Sequence, residues 1–354
     1  MVNLTGGLDP ELELFLAERP LEAEMRDSAT LWVMDDAGTL AFPRVTIDAI
    51  ASDWDCPWLQ LNMVHADGRT FRVWDRFPAH SRIDNRGEPT VLGAGPLRIE
   101  CIEPFHRWSM NFEGEGLQST TSAQIAGKQE GETVPLMFRF EAEMAAPPWL
   151  MGGMTPEAAR SMKYGDAAAL MGGLRYEQLC RVTGEVNIGR ERYDVRGTGM
   201  RVRRQGIRRM GTAIGHCQHS ALFPSGRAFG AIAFAPRSDG TQAFNEGFMI
   251  SDGVKRAASV AEAPWMRRLI GTGESVPLSL RTELGTVRIE GETLLSTFDS
   301  HLFEMADTSV LQQGAARYVW DGESTIGLIE RCTLRTELLR LSDSRSGFAT
   351  GHHR

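Results

Sequence analysis

The chain has 354 residues, enough for two domains or one large β fold, and its 42% hydrophobic and 24% charged residues are the balance of an ordinary folded protein. A formal net charge of -8 argues against a general nucleic-acid binder, which needs a broad basic face. No run approaches the eighteen or so apolar residues that span a bilayer, and MVNLTGGLDPELELFLAERP lacks the basic leader and apolar core of a signal peptide, so we expect a cytoplasmic protein with no membrane partner.

At the N-terminus Leu12, Leu14, Phe15 and Leu21 among acidic residues suggest a short helical face. The character then changes to brief alternating runs separated by Asp, Gly and Pro: ATLWVMDD, PWLQLNMVHADG, RTFRVWDRF, GPLRIECIEP and HRWSMNFEGEG, all of which read as antiparallel strands. In VPLMFRFEAEM, Val134, Leu136, Phe138 and Phe140 share one face and Met137, Arg139 and Glu141 take the other. Residues 146–173 interrupt the series with prolines, paired glycines and a short helix that Pro156 opens, a composition expected of a connection between halves.

Strand signals resume after Gly173, in GLRYEQLCRVTGEVNIGRERYDVRGTGMRV, GRAFGAIAFAP, EGFMISDG, LSLRTELGTVRIEGETLLSTF and ARYVWDGESTIGLIERCTLR. Turns every 8 to 12 residues or so suit a barrel or sandwich, and no alternation of strand with long amphipathic helix supports an α/β class. The polar, glycine-rich ending places His352 and His353 in a tail without an assigned role. Cys56, Cys101, Cys180, Cys217 and Cys332 are scattered, with no CxxC spacing, and read as small hydrophobes.

There is no GxGxxG opening a helix, no GxxxxGK[ST], no HExxH and no GxSxG, so Rossmann and P-loop chemistry is not expected. In GTAIGHCQHSALFPSG, His216 and His219 are three residues apart; a strand sends them to opposite faces and a turn brings them together. Their spacing allows proton transfer, metal binding or structural hydrogen bonding. Asp75, Glu113, Asp194, Glu246 and Glu330 lie beside strands, where burial would raise a carboxyl pKa and make a general acid. TGMRVRRQGIRRMGT concentrates Arg201, Arg203, Arg204, Arg208 and Arg209 around Gly206. Alternation puts Arg201, Arg203 and Gln205 on one strand face, Val202 and Arg204 on the other, an arrangement for lining a cavity or interface. The cluster is a solvated loop, a structural ion-pair network, or a site for an anionic group on a ligand. Trp108 is one of 8 tryptophans that, with 16 methionines, either pack the core or line a deformable apolar pocket.

Across GGLRYEQLCRVTGEVNIGRERYDVRGTGMRVRRQGIRR the chain resembles the tandem lipocalin-like superfamily of AttH-like proteins and carotenoid 1,2-hydratases, which fungal Diels-Alderase-type cyclases share in architecture. The resemblance extends over most of residues 25–335. It is narrower to bacterial proteins whose turn reads G-x-R-D-H-S-W-G-x-R; here Gly199, Arg201, Gly206 and Arg208 match, while Val202, Arg203, Arg204 and Gln205 replace Asp, His, Ser and Trp. The resemblance implies an all-β fold of two packed lipocalin-like antiparallel β barrels, which we divide at 1–172 and 173–354. It implies a bulky hydrophobic ligand (isoprenoid, steroid-like or aromatic), with or without an anionic group, and either a lyase or isomerase without a cofactor, a non-catalytic carrier, or a structural and interaction protein. The expected catalytic set is His216, His219 and Asp194, with no metal. The expected ligand-binding set is Arg201, Arg203, Gln205, Arg208, Trp108 and Glu246; the matching positions favour a structural role for Arg201 and Arg208.

Overall fold

The computed structural model describes residues 3–128, 130–164, 167–209, 215–235, 244–299, 309–336 and 338. His352 and His353 lie outside them. A first sheet holds β1 (Met25–Asp35), β2 (Leu40–Ile50), β3 (Trp58–His65), β4 (Arg69–Arg76), β5 (Val91–Ala94), β6 (Leu97–Glu103), β7 (Arg107–Thr120), β8 (Glu132–Met144), β9 (Trp149–Leu150), β10 (Leu174–Ile188) and β11 (Glu191–Ile207). Its order is β4-β3-β2-β1-β11-β10-β8-β7-β6-β5, with β9 on β10, and β4 also pairs with the far end of β7, so the sheet closes into a ring.

The second sheet is a closed barrel of β12 (Gly215–Leu222), β13 (Ala228–Phe234), β14 (Asn245–Ser251), β15 (Val254–Glu262), β16 (Leu278–Thr282), β17 (Gly285–Asp299), β18 (Ser309–Trp320) and β19 (Glu323–Leu334), each paired with its chain neighbour. The fold is therefore all-β, with one closed barrel of eight strands and one closed ring. No helix among the described residues is long and apolar enough to cross a membrane.

Period-two patterning explains three apolar layers. Leu136, Phe138 and Phe140 turn into the ring, where Phe42 meets Phe138 and Phe140 at ring-centroid distances of 5.1 and 5.0 Å, while Arg139 and Glu141 stay exposed. Phe229, Tyr318, Phe223 and Trp320 fill the barrel. A third layer is the seam between the two sheets, where Trp32, Met200 and Val202 of the ring meet Leu222, Phe234 and Leu328 of the barrel. Strands at this seam are covered on both faces, which is why β13 is buried along its whole length and β12 nearly so.

Two expectations are corrected by topology. The N-terminal segment forms only a single 3-10 turn, Pro10–Glu13, capped by Asp9; Phe15 is buried but Leu21 is fully exposed, so no helical face forms between Pro10 and Pro20. A short α1 (Thr121–Ile125) links β7 to β8; the connection 146–173 carries α2 (Pro156–Tyr164), opened by Pro156 as expected, and α3 (Ala167–Met171), but it returns the chain to the same sheet. Residues 174–207 pair with β8 and β1, so the chain passes from one sheet to the other between Ile207 and Gly215.

Candidate functional site

β11 carries the arginines out on alternate faces, as its register with β1 requires: Arg201 and Arg203 lie opposite Leu31 and Ala29, which belong to the ring interior. There the N-terminal segment closes one end of the ring. Arg201 forms an ion pair with Glu13 at 2.8 Å, donates to Gln178 Oε1 at 2.6 Å, and stacks over Trp108 and Tyr176. Glu13 also accepts from the Trp108 indole at 2.9 Å and the Phe105 amide at 3.0 Å. Arg203 pairs with Asp27, donates to Leu14 O at 2.6 Å and covers the Phe15 ring; Arg82 reaches the other oxygen of Asp27 at 3.1 Å. Gln205 donates to Leu14 O at 3.3 Å. Arg201, Arg203, Gln205 and Trp108, expected to bind a ligand, are thus engaged with the N-terminal segment, with guanidinium forks matched to carboxylates.

The opposite face of β11 meets the barrel. A cavity of about 50 Å³ lies in the seam, walled on the ring side by Thr30, Trp32, Arg44, Asp48, Arg175, Arg204 and Arg208 and on the barrel side by Gln218 and Glu330. It has room for a few water molecules or one small polar group. Arg204 and Arg208 reach it because β11 runs close beneath the connection. Gly206 has φ +148°, and a Cβ there would stand 2.5 Å from Gly172 O and 2.7 Å from the Gly173 Cα, so only glycine lets the backbones pass. The two guanidiniums then anchor through Nε to Met171 O at 2.8 Å and Leu170 O at 3.1 Å.

His216 stands on the seam face of β12, and its Nε2 is 2.7 Å from Glu330 Oε1. Arg44 crosses from β2 to Glu330 Oε2 at 2.7 Å, and Gln313, itself held by Asn62 at 3.0 Å, donates to the same carboxylate. Burial opposes the Glu330 charge, but the Arg44 guanidinium and the His216 and Gln313 hydrogen bonds outweigh it and hold the carboxyl well below the usual range. An ionised carboxylate only accepts, so Nε2 carries the hydrogen and Nδ1, which makes no hydrogen bond among the described residues, is the free nitrogen.

The other expected site residues are elsewhere. His219 leaves the opposite face of β12 and is enclosed in the barrel, its Nδ1 2.7 Å from Tyr318 Oη, which donates to Leu328 O. Burial pushes its imidazole down to about 3, so it is neutral at physiological pH. Asp194 is exposed near the β10–β11 turn. Glu246 is fully buried and accepts from the Trp149 indole and the amides of Gly152, Met154 and Thr155 at 2.7–3.2 Å, tying the connection to the barrel. The structure therefore gathers only His216 and Arg208 from the expected set, and adds Glu330, Arg44, Arg175 and Arg204. Glu330 was visible as one of five acidic candidates, but no local signal joined it to Arg44, 286 residues away.

A larger groove of about 680 Å³ runs over the outer face of β7, β8 and β10, lined by Arg107, Asn111, Arg139, Glu141 and Glu185. It is open, and Glu185 pairs with Arg192 at 3.0 Å and with Arg139 at 3.6 Å, which is an ordinary solvated sheet face. The seam is the stronger candidate because its charges are enclosed and a histidine stands beside them.

Residues 17–335 match a domain of unknown function, DUF7064. No curated protein matches the sequence. Among solved structures, a Nitrosomonas europaea protein assigned to AttH superposes with a TM-score of 0.53 at 17% identity, covering 87% of this chain and 91% of that one. Kievitone hydratase from Nectria haematococca superposes at 0.52 with 10% identity, covering 95% and 96%. These are likenesses of fold, and they agree with the expected AttH-like architecture.

Proposed function

The chain belongs to the DUF7064 domain family, and from that premise we propose that it is a lyase-type enzyme that adds water to, or removes it from, a hydrophobic small molecule held in the seam. The observation that carries this reading is the His216–Glu330 pair, 2.7 Å between Nε2 and Oε1, of which Glu330 lines the inter-sheet cavity. The fold shared with a hydratase supports the reaction class by analogy.

Hydration takes a proton from the attacking water and delivers one to carbon; dehydration runs the transfers in reverse. Glu330 stays ionised and orients the imidazole through Nε2, so Nδ1 of His216 is the nitrogen placed to take the proton as base and to return it as acid. Arg44 fixes Glu330 from the ring side and stacks 5.8 Å from the Trp32 centroid, which makes the dyad dependent on the two sheets being docked. To hold the apolar body of the substrate, the packed layer of Trp32, Met200, Val202 and Phe234 has to part around it, and methionine supplies the adaptability to repack.

A carrier without turnover is the second reading. It is favoured by Val202, Arg203, Arg204 and Gln205 standing where the resembling bacterial proteins have Asp, His, Ser and Trp. The two are separated by extracting the small molecule that purifies with the protein and returning it to wild type and to His216→Gln. Gain or loss of one water, abolished in the variant, supports the enzyme; unchanged mass with equal binding by both proteins leaves the carrier.

A further inference from the structure

The seam holds more positive charge than the described residues neutralise. Three of its arginines have carboxylate partners: Arg26 with Asp48 at 2.9 Å, Arg44 with Glu330 at 2.7 Å, and Arg175 with Glu177. Gln218 adds two hydrogen bonds to Glu177 at 2.9 Å, completing that group from the barrel side. Arg204 and Arg208 are left over. Each gives its Nε to a backbone carbonyl, and neither has an ion pair among the described residues. Burial and the neighbouring guanidiniums push both below the ordinary arginine range, Arg208 to about 10.

Arg204 and Arg208 are half-buried, so each gives up part of its hydration without an ion pair in return, and a chain that keeps two such cations side by side has a reason outside its own carboxylates. A second observation points the same way. Trp32 is 2% exposed and lines the cavity, yet its indole N–H has no acceptor among the described residues. The cavity thus presents two guanidinium forks without an ion pair and a buried neutral donor, against one unpartnered acceptor, Asp48 Oδ1, so donors are in excess.

We propose that the seam cavity is a binding site for a small oxyanion, carboxylate, sulfate or phosphate, held by Arg204, Arg208 and the Trp32 indole, and that this oxyanion is the head group of the ligand. The head-group assignment rests on the reading of the seam as the ligand site; the anion site itself does not. Arginine is suited to the task because its planar fork meets two oxygens of such a group at once. At about 50 Å³ the space takes a head group, and an apolar remainder requires the methionine- and aromatic-lined seam beside it to open.

The test is isothermal titration of the full chain with acetate, sulfate and phosphate separately, in chloride buffer at constant ionic strength. Saturable binding of at least one anion is expected, with Arg208→Gln weakening it at least tenfold and Arg209→Gln, whose side chain is exposed and paired with Glu24, leaving it unchanged. Which anion binds identifies the head group. No saturable binding by wild type overturns the proposal, as does equal weakening in both variants. Should Arg208→Gln not fold, Trp32→Phe, which removes only the indole donor, is titrated in its place. His216→Gln is expected to bind the anion like wild type. Loss of turnover with anion binding intact separates the catalytic reading from this one, and anion binding without any turnover in wild type would remove the former alone.

Discussion

Arg201 and Arg203 leave one face of β11; Arg204 leaves the other, and Arg208 follows just beyond the strand end. The first two are sealed in the ring with Glu13 and Asp27 and stacked on aromatic rings, Arg201 also bonded to Gln178 Oε1 and Arg203 to backbone carbonyls. The second two face the barrel across a small cavity with no ion-pair partner among the described residues. One strand therefore carries charge-matched arginines on one side and arginines in excess of carboxylate on the other. The same alternation separates the histidines of β12, with His219 enclosed and neutral and His216 at the seam on an ionised carboxylate. Finished networks hold a fold together; a donor-rich, unbalanced one is where a ligand completes the count.

The comparison breaks most visibly if Glu13 is removed. Glu13→Ala strands Arg201 in the ring and withdraws the acceptor from Trp108 and Phe105, and we expect a loss of about 3–5 kcal/mol in urea unfolding. A loss below about 1 kcal/mol would mean that this network is not what closes the ring.

His219 gives the next effect. Its folded pKa, about 3, lies below the unfolded value of about 6.5, so the unfolded chain binds the extra proton. Stability is then full above pH 6.5 and falls as the pH drops from there toward 3, by up to about 1.4 kcal/mol per pH unit, or about 2 kcal/mol at pH 5. Denaturant midpoints of His219→Gln should follow a flatter acid limb; a limb as steep as wild type would assign the loss to other groups.

The seam arginines should behave in the opposite sense. In chloride buffer without oxyanions, Arg208→Met removes a cation that has no ion pair among the described residues and is expected to stabilise by about 1 kcal/mol, whereas destabilisation would show that Arg208 already has its partner. Smallest of all is Arg209→Gln, an exposed pair with Glu24, for which no measurable shift of the thermal midpoint is expected.

The alternation that makes this comparison was legible in the sequence. Period-two spacing separated Arg201, Arg203 and Gln205 from Val202 and Arg204, sent His216 and His219 apart if they lay on a strand, and gave β8 its wet and dry faces. What could not be read was which face of β11 met which body. Both faces carry arginine, and the deciding partners, Glu13 and Leu14 on one side and Gln218 and Glu330 on the other, are distant in the chain. Arg201, Arg203 and Gln205, expected to line a ligand cavity, are instead found on the face engaged by the N-terminal segment. The division at residue 172 followed composition, since Pro- and Gly-rich segments usually separate bodies. Here α2 and α3 occupy a detour between β8 and β10 of one ring, and Glu246 ties its start to the barrel by four hydrogen bonds.

That the seam is the functional site is tested most directly by native mass spectrometry of gently purified wild type, Arg208→Gln and Arg209→Gln side by side. The account requires a discrete small-molecule adduct that carries an acidic group, strongly depleted in Arg208→Gln and retained in Arg209→Gln. Equal occupancy in all three proteins, or an adduct with no ionisable group, would contradict it.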